Sequence, residues 1–296
     1  MTLLSTSLPR IPATKISAVV SDVDGTLVTD EKKLTVRAQA AVAELHNRGI
    51  RFTIISSRPP RGLRMLLKPL AITTPIGCFN GGVIARDDLS VITEHCLLPE
   101  VARRAIDMLE ARGVKPWVFA GADWLLRDPD GPYVGREQGT VDFPPTIVAA
   151  FGPVLGTAAK IVGASKDFEL LAQCERDIRA SLADQASVAR SQPYYLDITH
   201  PLANKGVALS ELADLLAVPL AEVAVIGDGG NDVAMFERSG LSIAMGNASP
   251  EVRHAADLVT GSNGDDGFAD AIERFILGGE RSNARAAIDR AGAPAC

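Results

Sequence analysis

The sequence has no apolar run near the roughly 18 residues that a membrane-spanning helix needs, and no cluster of Lys or Arg. The first absence argues against a membrane protein. The second, with 30 Lys plus Arg against 36 Asp plus Glu and a formal net charge of −6, argues against a general electrostatic grip on nucleic acid. Cysteine is scarce and scattered: Cys78, Cys96, Cys174 and Cys296, with no C-x-x-C pair. That usage points to reduced thiols in a cytoplasmic protein. His95 and Cys96 are adjacent, but no second ligand pair lies nearby, so a zinc site is not expected. The stretch from Met1 to Pro9 has neither a basic segment nor a long apolar core, and no secretory signal is expected. What remains is a chain of 296 residues, 47% hydrophobic and 22% charged. It can bury a sizeable core, and its length is a soft prior for two domains. An acidic protein that handles phosphate has to do so locally, with a metal or a few placed cations.

Short apolar runs end abruptly in small polar residues. Residues 16–21 end at Asp22, 51–55 at Ser56, 75–79 at Asn80 and 222–226 at Gly227-Asp228. Their length and Ile/Val content predict buried strands of a parallel sheet. Between the first two, residues 34–48 read as a helix with apolar Val36, Ala40, Ala43 and Leu45, started by Thr35 and stopped by Gly49. This βαβ unit predicts an open α/β sheet, whose ligands bind beyond the carboxyl ends of the strands. The chain from 204 repeats the pattern, with helices at 204–217, 232–238, 250–255 and 268–277 around strands at 222–226, 241–245 and 257–260. The middle differs. Strand candidates at 91–96, 115–120, 124–127, 159–163 and 187–191 alternate with helices at 99–112 and 166–182, which predicts a second α/β unit with an antiparallel sheet.

The strongest chemical signal is Asp22-Val23-Asp24-Gly25-Thr26, directly after the first strand. Two carboxylates two positions apart face one site if Gly25 and Thr26 turn the chain; read alone, the motif is as compatible with a capped turn. The second signal is Gly227-Asp228-Gly229-Gly230-Asn231-Asp232. It does not fit a dinucleotide-binding G-x-G-x-x-G, because Asp232 stands at the third glycine position, and its acids would repel a pyrophosphate. Two acidic loops facing each other need a cation between them, and hard oxygen ligands suggest Mg²⁺. Ser56, with Ser57-Arg58, and Lys205-Gly206 are single-residue signals that gain weight only from this constellation.

Together these motifs resemble the haloacid dehalogenase-like (HAD) phosphohydrolases, more narrowly the Cof-type (subclass IIB) sugar-phosphatase branch, over about residues 15 to 277. Asp22-Val23-Asp24-Gly25-Thr26 stands for the first motif and Ser56 for the second, with Ser57 where the branch has Gly before Arg58. Asn80-Gly81 follows the third strand, Lys205-Gly206 opens the third motif, Gly227-Asp228 through Asn231-Asp232 gives the fourth, and Met245-Gly246-Asn247-Ala248 lies downstream. The resemblance implies a Rossmann-like, doubly wound, mostly parallel α/β core, discontinuous over 14–82 and 198–277. An α/β cap with an antiparallel sheet is inserted at 83–197, and 1–13 and 278–296 are flexible tails. It implies Asp22 as nucleophile, Asp24 as general acid and base, and Lys205, Ser56, Arg58, Asn80, Gly81 and Asn231 on phosphate or substrate. It also implies Mg²⁺ held by Asp22, the Asp24 carbonyl and Asp228, with Asp232 supporting a water. The expected activity is Mg²⁺-dependent hydrolysis of small phosphomonoesters, sugar phosphates or phosphorylated cofactors, by a cytoplasmic monomer or small homo-oligomer with neither nucleic acid nor membrane as partner. A phosphosugar mutase, a receiver-like phospho-acceptor and an inactive binding module are the alternatives. Trp117, Trp124, Arg127, Tyr133, Arg136, Tyr194 and Tyr195 are the specificity candidates in the cap, and His200 marks a leaving-group contact or a hinge.

Overall fold

The computed structural model describes residues 15–278. The expected tails therefore lie outside the described residues, apart from Gly278. The chain divides into two compact units. Among the described residues, the first takes in 15–54, the segment Pro69–Thr74 and 209–278; the second holds Ile55–Lys68 and Pro75–Ala208.

The first unit is built on five parallel strands in the order Leu258–Val259, Leu241–Ala244, Val223–Gly227, Ala18–Ser21, Arg51–Ile54. Ala18–Ser21 and Val223–Gly227 are buried along their whole length. A strand covered on both faces needs apolar residues at every position, which is why these runs do not alternate. Helix Val36–Asn47 follows the first strand, and Thr35 Oγ1 caps it by accepting from the Ala38 amide. Its buried stripe is Ala38, Ala41, Val42 and Leu45. The expected stripe through Val36, Ala40 and Ala43 is on the wrong face: Val36 is 83% exposed. Alanine fits either face, and only the 3.6-residue spacing that ends on Leu45 fixes the phase.

The second unit carries two sheets. In the larger, the order is Ser187–Gln192, Tyr195–Thr199, Ala158–Ala164, Lys115–Ala120, Asp123–Leu126, Thr146–Ile147, antiparallel except for the last pair. Helices Pro99–Glu110 and Phe168–Leu182 pack on one face through Ala105, Ile106, Leu109, Leu171 and Ile178 against Val118, Ile161, Leu196 and Ile198. The smaller sheet corrects an expectation. Ile76–Cys78 is not a strand of the parallel sheet: it pairs antiparallel with Val83–Ala85, which pairs with Val91–Glu94. Its one parallel link is a single bridge, Ile55 to Gly77. The cause is a reversal at Phe79, Asn80 and Gly81, all with positive φ (50°, 59° and 97°), which folds the chain back at once.

Candidate active site

In parallel sheets the carboxyl ends of adjacent strands bring their following loops together. Ser21 pairs with Ile226, so Asp22 and the loop from Gly227 leave the sheet side by side. The Asp22 amide donates to Ile226 O at 2.9 Å. Beyond it, Leu27 and Val28 both donate to Val23 O, a tight loop that carries Asp24 around. Gly25 makes the loop possible. Its φ is +84°, and a Cβ there would fall 2.3 Å from Asp228 Oδ2. Thr26 Oγ1 donates to Asp228 Oδ1 at 2.9 Å, so the first motif clamps the acid of the fourth.

Carboxylate oxygens of Asp22, Asp228 and Asp232 converge to within 4.8 Å of one another, with Asp22 and Asp232 buried. At such separations each ionised pair repels by about 3 kcal/mol for an effective dielectric of ~20. Asp232 is partly compensated, because its Oδ2 accepts from the Asp228 and Gly229 amides at 2.9 and 2.8 Å. The donor set is all hard oxygen with no thiolate or imidazole, which suits a small divalent cation such as Mg²⁺. These residues fit the metal that the sequence motifs imply.

Three neighbours are residues to which the sequence motifs assigned no role. Lys32 Nζ pairs with Asp24 Oδ1 at 2.8 Å. Asn247 Nδ2 donates to Gly25 O at 2.9 Å and its Oδ1 accepts from the Asn263 amide at 3.0 Å, while Asn263 Nδ2 reaches Val28 O at 3.1 Å. Asn247 and Asn263 thus clip the first-motif loop to the tail of the sheet. Asn247 carries a signal in Met245-Gly246-Asn247-Ala248; Lys32 and Asn263 carry none, Lys32 being set by a turn at 29–33 with no marked composition and Asn263 by long-range folding.

The remaining site candidates lie in the second unit. Ser56 is buried; its amide donates to Gly77 O and its carbonyl accepts from the Asn80 amide at 2.8 Å. Its Oγ accepts from the Arg58 amide at 3.1 Å. Gly81 packs on the helix that Lys205 opens: a Cβ there would lie 2.4 Å from Ala208 Cβ. Asn204 Oδ1 caps that helix on the Val207 amide, and Lys205 is almost fully buried at 1% exposure. Arg58 is buried as well, with Nη1 donating to Thr140 O at 3.0 Å and to Gly62 O. Asn231 belongs to the first unit, in the turn Gly230–Asp232.

Of the expected specificity residues, Trp117 and Trp124 are fully buried and touch edge to face at 5.2 Å. Tyr133 stacks on Tyr194 at 4.5 Å, under the Arg136 guanidinium. Arg127 pairs with Glu110. His200 stacks on His95 at 5.5 Å and its Nδ1 accepts from the Leu202 amide.

The family profile described as haloacid dehalogenase-like hydrolase matches residues 19–272. A Haemophilus influenzae protein named as a candidate phosphatase is 30% identical over 270 residues, which cover 86% of this chain and 97% of that one. The Bacillus subtilis 5-amino-6-(5-phospho-D-ribitylamino)uracil phosphatase YitU is 26% identical, over 89% of this chain and 98% of that one. A haloacid dehalogenase-like hydrolase from Bacteroides thetaiotaomicron superposes with a TM-score of 0.81 at 29% identity, covering 88% of this chain and 99% of that one. The chain belongs to the haloacid dehalogenase-like hydrolases, Cof-type. Within that family it is a phosphatase, a phosphoric monoester hydrolase. No helix among the described residues is long and apolar enough to cross a membrane.

Proposed function

We propose that the protein hydrolyses small phosphomonoesters, sugar phosphates or phosphorylated cofactors, with Mg²⁺ and through an aspartyl-phosphate on Asp22. The observation that carries this reading is the convergence of Asp22, Asp228 and Asp232, with Asp24 one turn further along the same loop. The Asp22 carboxylate attacks phosphorus and the alkoxide leaves, splitting one hard displacement into two easier ones. Asp24 gives the departing oxygen its proton, then takes one from the water that hydrolyses the phosphoenzyme, a role worth ~10²–10⁴ in rate. Lys205 Nζ and Ser56 Oγ hold the transferring oxygens, and fixed donors of this kind supply the largest electrostatic stabilisation. Asn80, the Gly81 backbone, Asn231 and Arg58 bind phosphate or substrate. The Asp22 and Asp228 carboxylates and the Asp24 carbonyl would hold Mg²⁺, with Asp232 orienting a water. The metal when bound supplies charge neutralisation between carboxylate and phosphate dianion.

In this reading the catalytic core is 14–82 with 198–277, and 83–197 is a cap that supplies substrate contacts and excludes water. The partner is a small phosphorylated metabolite in the cytoplasm. The test is phosphate release from a panel of phosphorylated metabolites, with Mg²⁺ and with excess chelator. Asp22→Asn is expected to abolish turnover with an unchanged circular dichroism spectrum. Full turnover by that variant, or undiminished activity in chelator, overturns the mechanism.

A further inference from the structure

The acidic chain has a long interval without an acid. No Asp or Glu stands between Glu44 and Asp87, and that interval holds Arg58, Arg61, Arg64 and Lys68 at spacings of three and four. On a helical segment such spacing brings side chains to one side. Pro60–Leu63 and Arg64–Leu67 are two consecutive short turns that bury Leu63, Leu66 and Leu67. Arg61, Arg64 and Met65 line a cavity of about 220 Å³, together with Asp142 and Phe143. A second cavity of about 510 Å³ shares Asp142 and Phe143 and continues along Gly135, Gln138, Gly139 and Pro144. Gly135, Gln138, Gly139 and Asp142 follow one face of helix Val134–Val141. Another face carries the buried Val134 and Val141, and Glu137, which interacts with the Lys160–Asp197 ion pair of the sheet. The cleft and the sheet are therefore served by different faces of this helix.

The lining of the smaller cavity holds two guanidinium groups and one carboxylate, that of Asp142. Neither the Arg61 nor the Arg64 side chain donates a hydrogen bond to another described residue, and Arg61 has only a loose ion pair, at 3.9 Å from Asp123. Arg61 is nevertheless held in place. Its guanidinium lies over the Phe143 ring, 4.3 Å from the centroid, and Phe143 is itself buried. A guanidinium stacked by its face keeps its N–H edge available, and that planar edge matches the oxygens of a phosphate or carboxylate. The cavity also has a wall in common with Arg58. Met65 Sδ lies 3.8 Å from Arg58 Nη1, which donates to Gly62 O and Thr140 O. A Cβ at Gly62 would come within 3.3 Å of Val141 Cβ, so the turn and the helix pack closely at this point.

We propose that Arg61 and Arg64 bind a phosphate-class oxyanion in this cleft, and that its occupancy acts on Arg58 through Met65. The oxyanion is inorganic phosphate or the phosphoryl end of a small organic molecule. The larger cavity has room for an uncharged body: a Cβ at Gly135 or Gly139 would meet nothing within 4 Å, and Gln138 offers an amide. The phosphatase reading enters at one point, that phosphate is then the product and feeds back on Arg58.

The experiment titrates the full chain with inorganic phosphate at constant ionic strength, by calorimetry. The variants are Arg64→Gln, which alters an exposed side chain, and Arg61→Gln with Arg64→Gln. Lys68→Gln removes the same charge from the same segment outside the cavity lining. The paired variant is expected to bind one phosphate fewer per chain than the wild type, Arg64→Gln to bind it roughly tenfold more weakly, and Lys68→Gln to match the wild type. Equal binding by the wild type and both arginine variants overturns the proposal, as does an equal loss in Lys68→Gln. These results do not depend on turnover, so they stand even where the phosphatase reading fails. Phenylphosphonate, which carries an organic body, separates the two sources. Binding roughly tenfold tighter than phosphate, with the gain lost in Gly139→Leu, assigns the site to an organic phosphoryl group; no gain assigns it to free phosphate. With p-nitrophenyl phosphate as substrate, inorganic phosphate is expected to lower kcat and raise KM in the wild type, and only to raise KM in the paired variant. Purely competitive inhibition of the wild type overturns the coupling to Arg58.

Discussion

The residue that most changes the picture drawn from the motifs is Lys32. Its amine fixes one oxygen of Asp24, the proposed acid and base, across a pair that is about one-third exposed. Exposed pairs contribute at most about 1 kcal/mol to stability, so Lys32→Ala is expected to leave the melting temperature nearly unchanged. Loss of the fixed carboxylate is expected to lower kcat by roughly tenfold, in line with the cost of removing supporting contacts, with Lys32→Arg restoring most of it. Steady-state kinetics and a thermal melt on the three proteins check both halves. Asp232→Asn is a second residue-scale case. An amide oxygen can still accept from the Asp228 and Gly229 amides, while the charge is gone. The loop is expected to hold and Mg²⁺ affinity to fall by about 10–100-fold, measured by calorimetry. Asp22 and Asp228 were legible as a facing pair of acids because each stands directly after a buried strand, with Asp24 and Asp232 in the loops that follow. Lys32 was not: its approach to Asp24 depends on its own positive φ of 61° and on the Asn263 clip, neither of which leaves a local pattern.

At the scale of elements, legibility followed burial. Strands buried on both faces and the long amphipathic helices stood out. Helix Val134–Val141 did not, because two glycines and only two buried residues leave no stripe. Strand Tyr195–Thr199 was hidden by Pro193 and the adjacent tyrosines, yet it supplies Asp197. The strand Ile76–Cys78 was legible as a strand but not in its pairing, which the reversal at Asn80 decides. The His95–His200 stack lies just past the strands Val91–Glu94 and Tyr195–Thr199. Burial first, and His95 second, hold the His200 imidazole below its ordinary value of 6.5. The unfolded chain takes up that proton near pH 6.5 and the folded one only at lower pH. The unfolded state then binds more protons below that value, so this ring lowers stability as the pH falls through and below it. Urea unfolding of His200→Gln is expected to show a shallower loss of stability than the wild type between about pH 7 and pH 5.

For the whole molecule, the two acidic loops are expected to make stability depend on a cation. Chelation is expected to lower the melting temperature, and Mg²⁺ at about 100 times its dissociation constant to add ~2.7 kcal/mol. Thermal melts of the wild type and of Asp228→Ala check it: the Mg²⁺ response should disappear in the variant. The fold class was legible because strand and helix alternate in the outer thirds of the chain and the middle changes character. The boundaries of the compact units were not, since Ile55–Lys68 and Pro75–Ala208 group together by contacts that no local pattern announces.

The first sheet also imposes an order of events on biosynthesis. Ser17 and Glu222, joined beside the pairing of Ala18–Ser21 with Val223–Gly227, are 205 positions apart. At translation rates of ~5–20 residues per second, the first strand waits about 10–40 s for that neighbour to leave the ribosome. During that interval one edge of a strand made to be fully covered stands open. The intervening residues have time to fold first, and the nascent chain is then at its most exposed to aggregation, before its two acidic loops can meet.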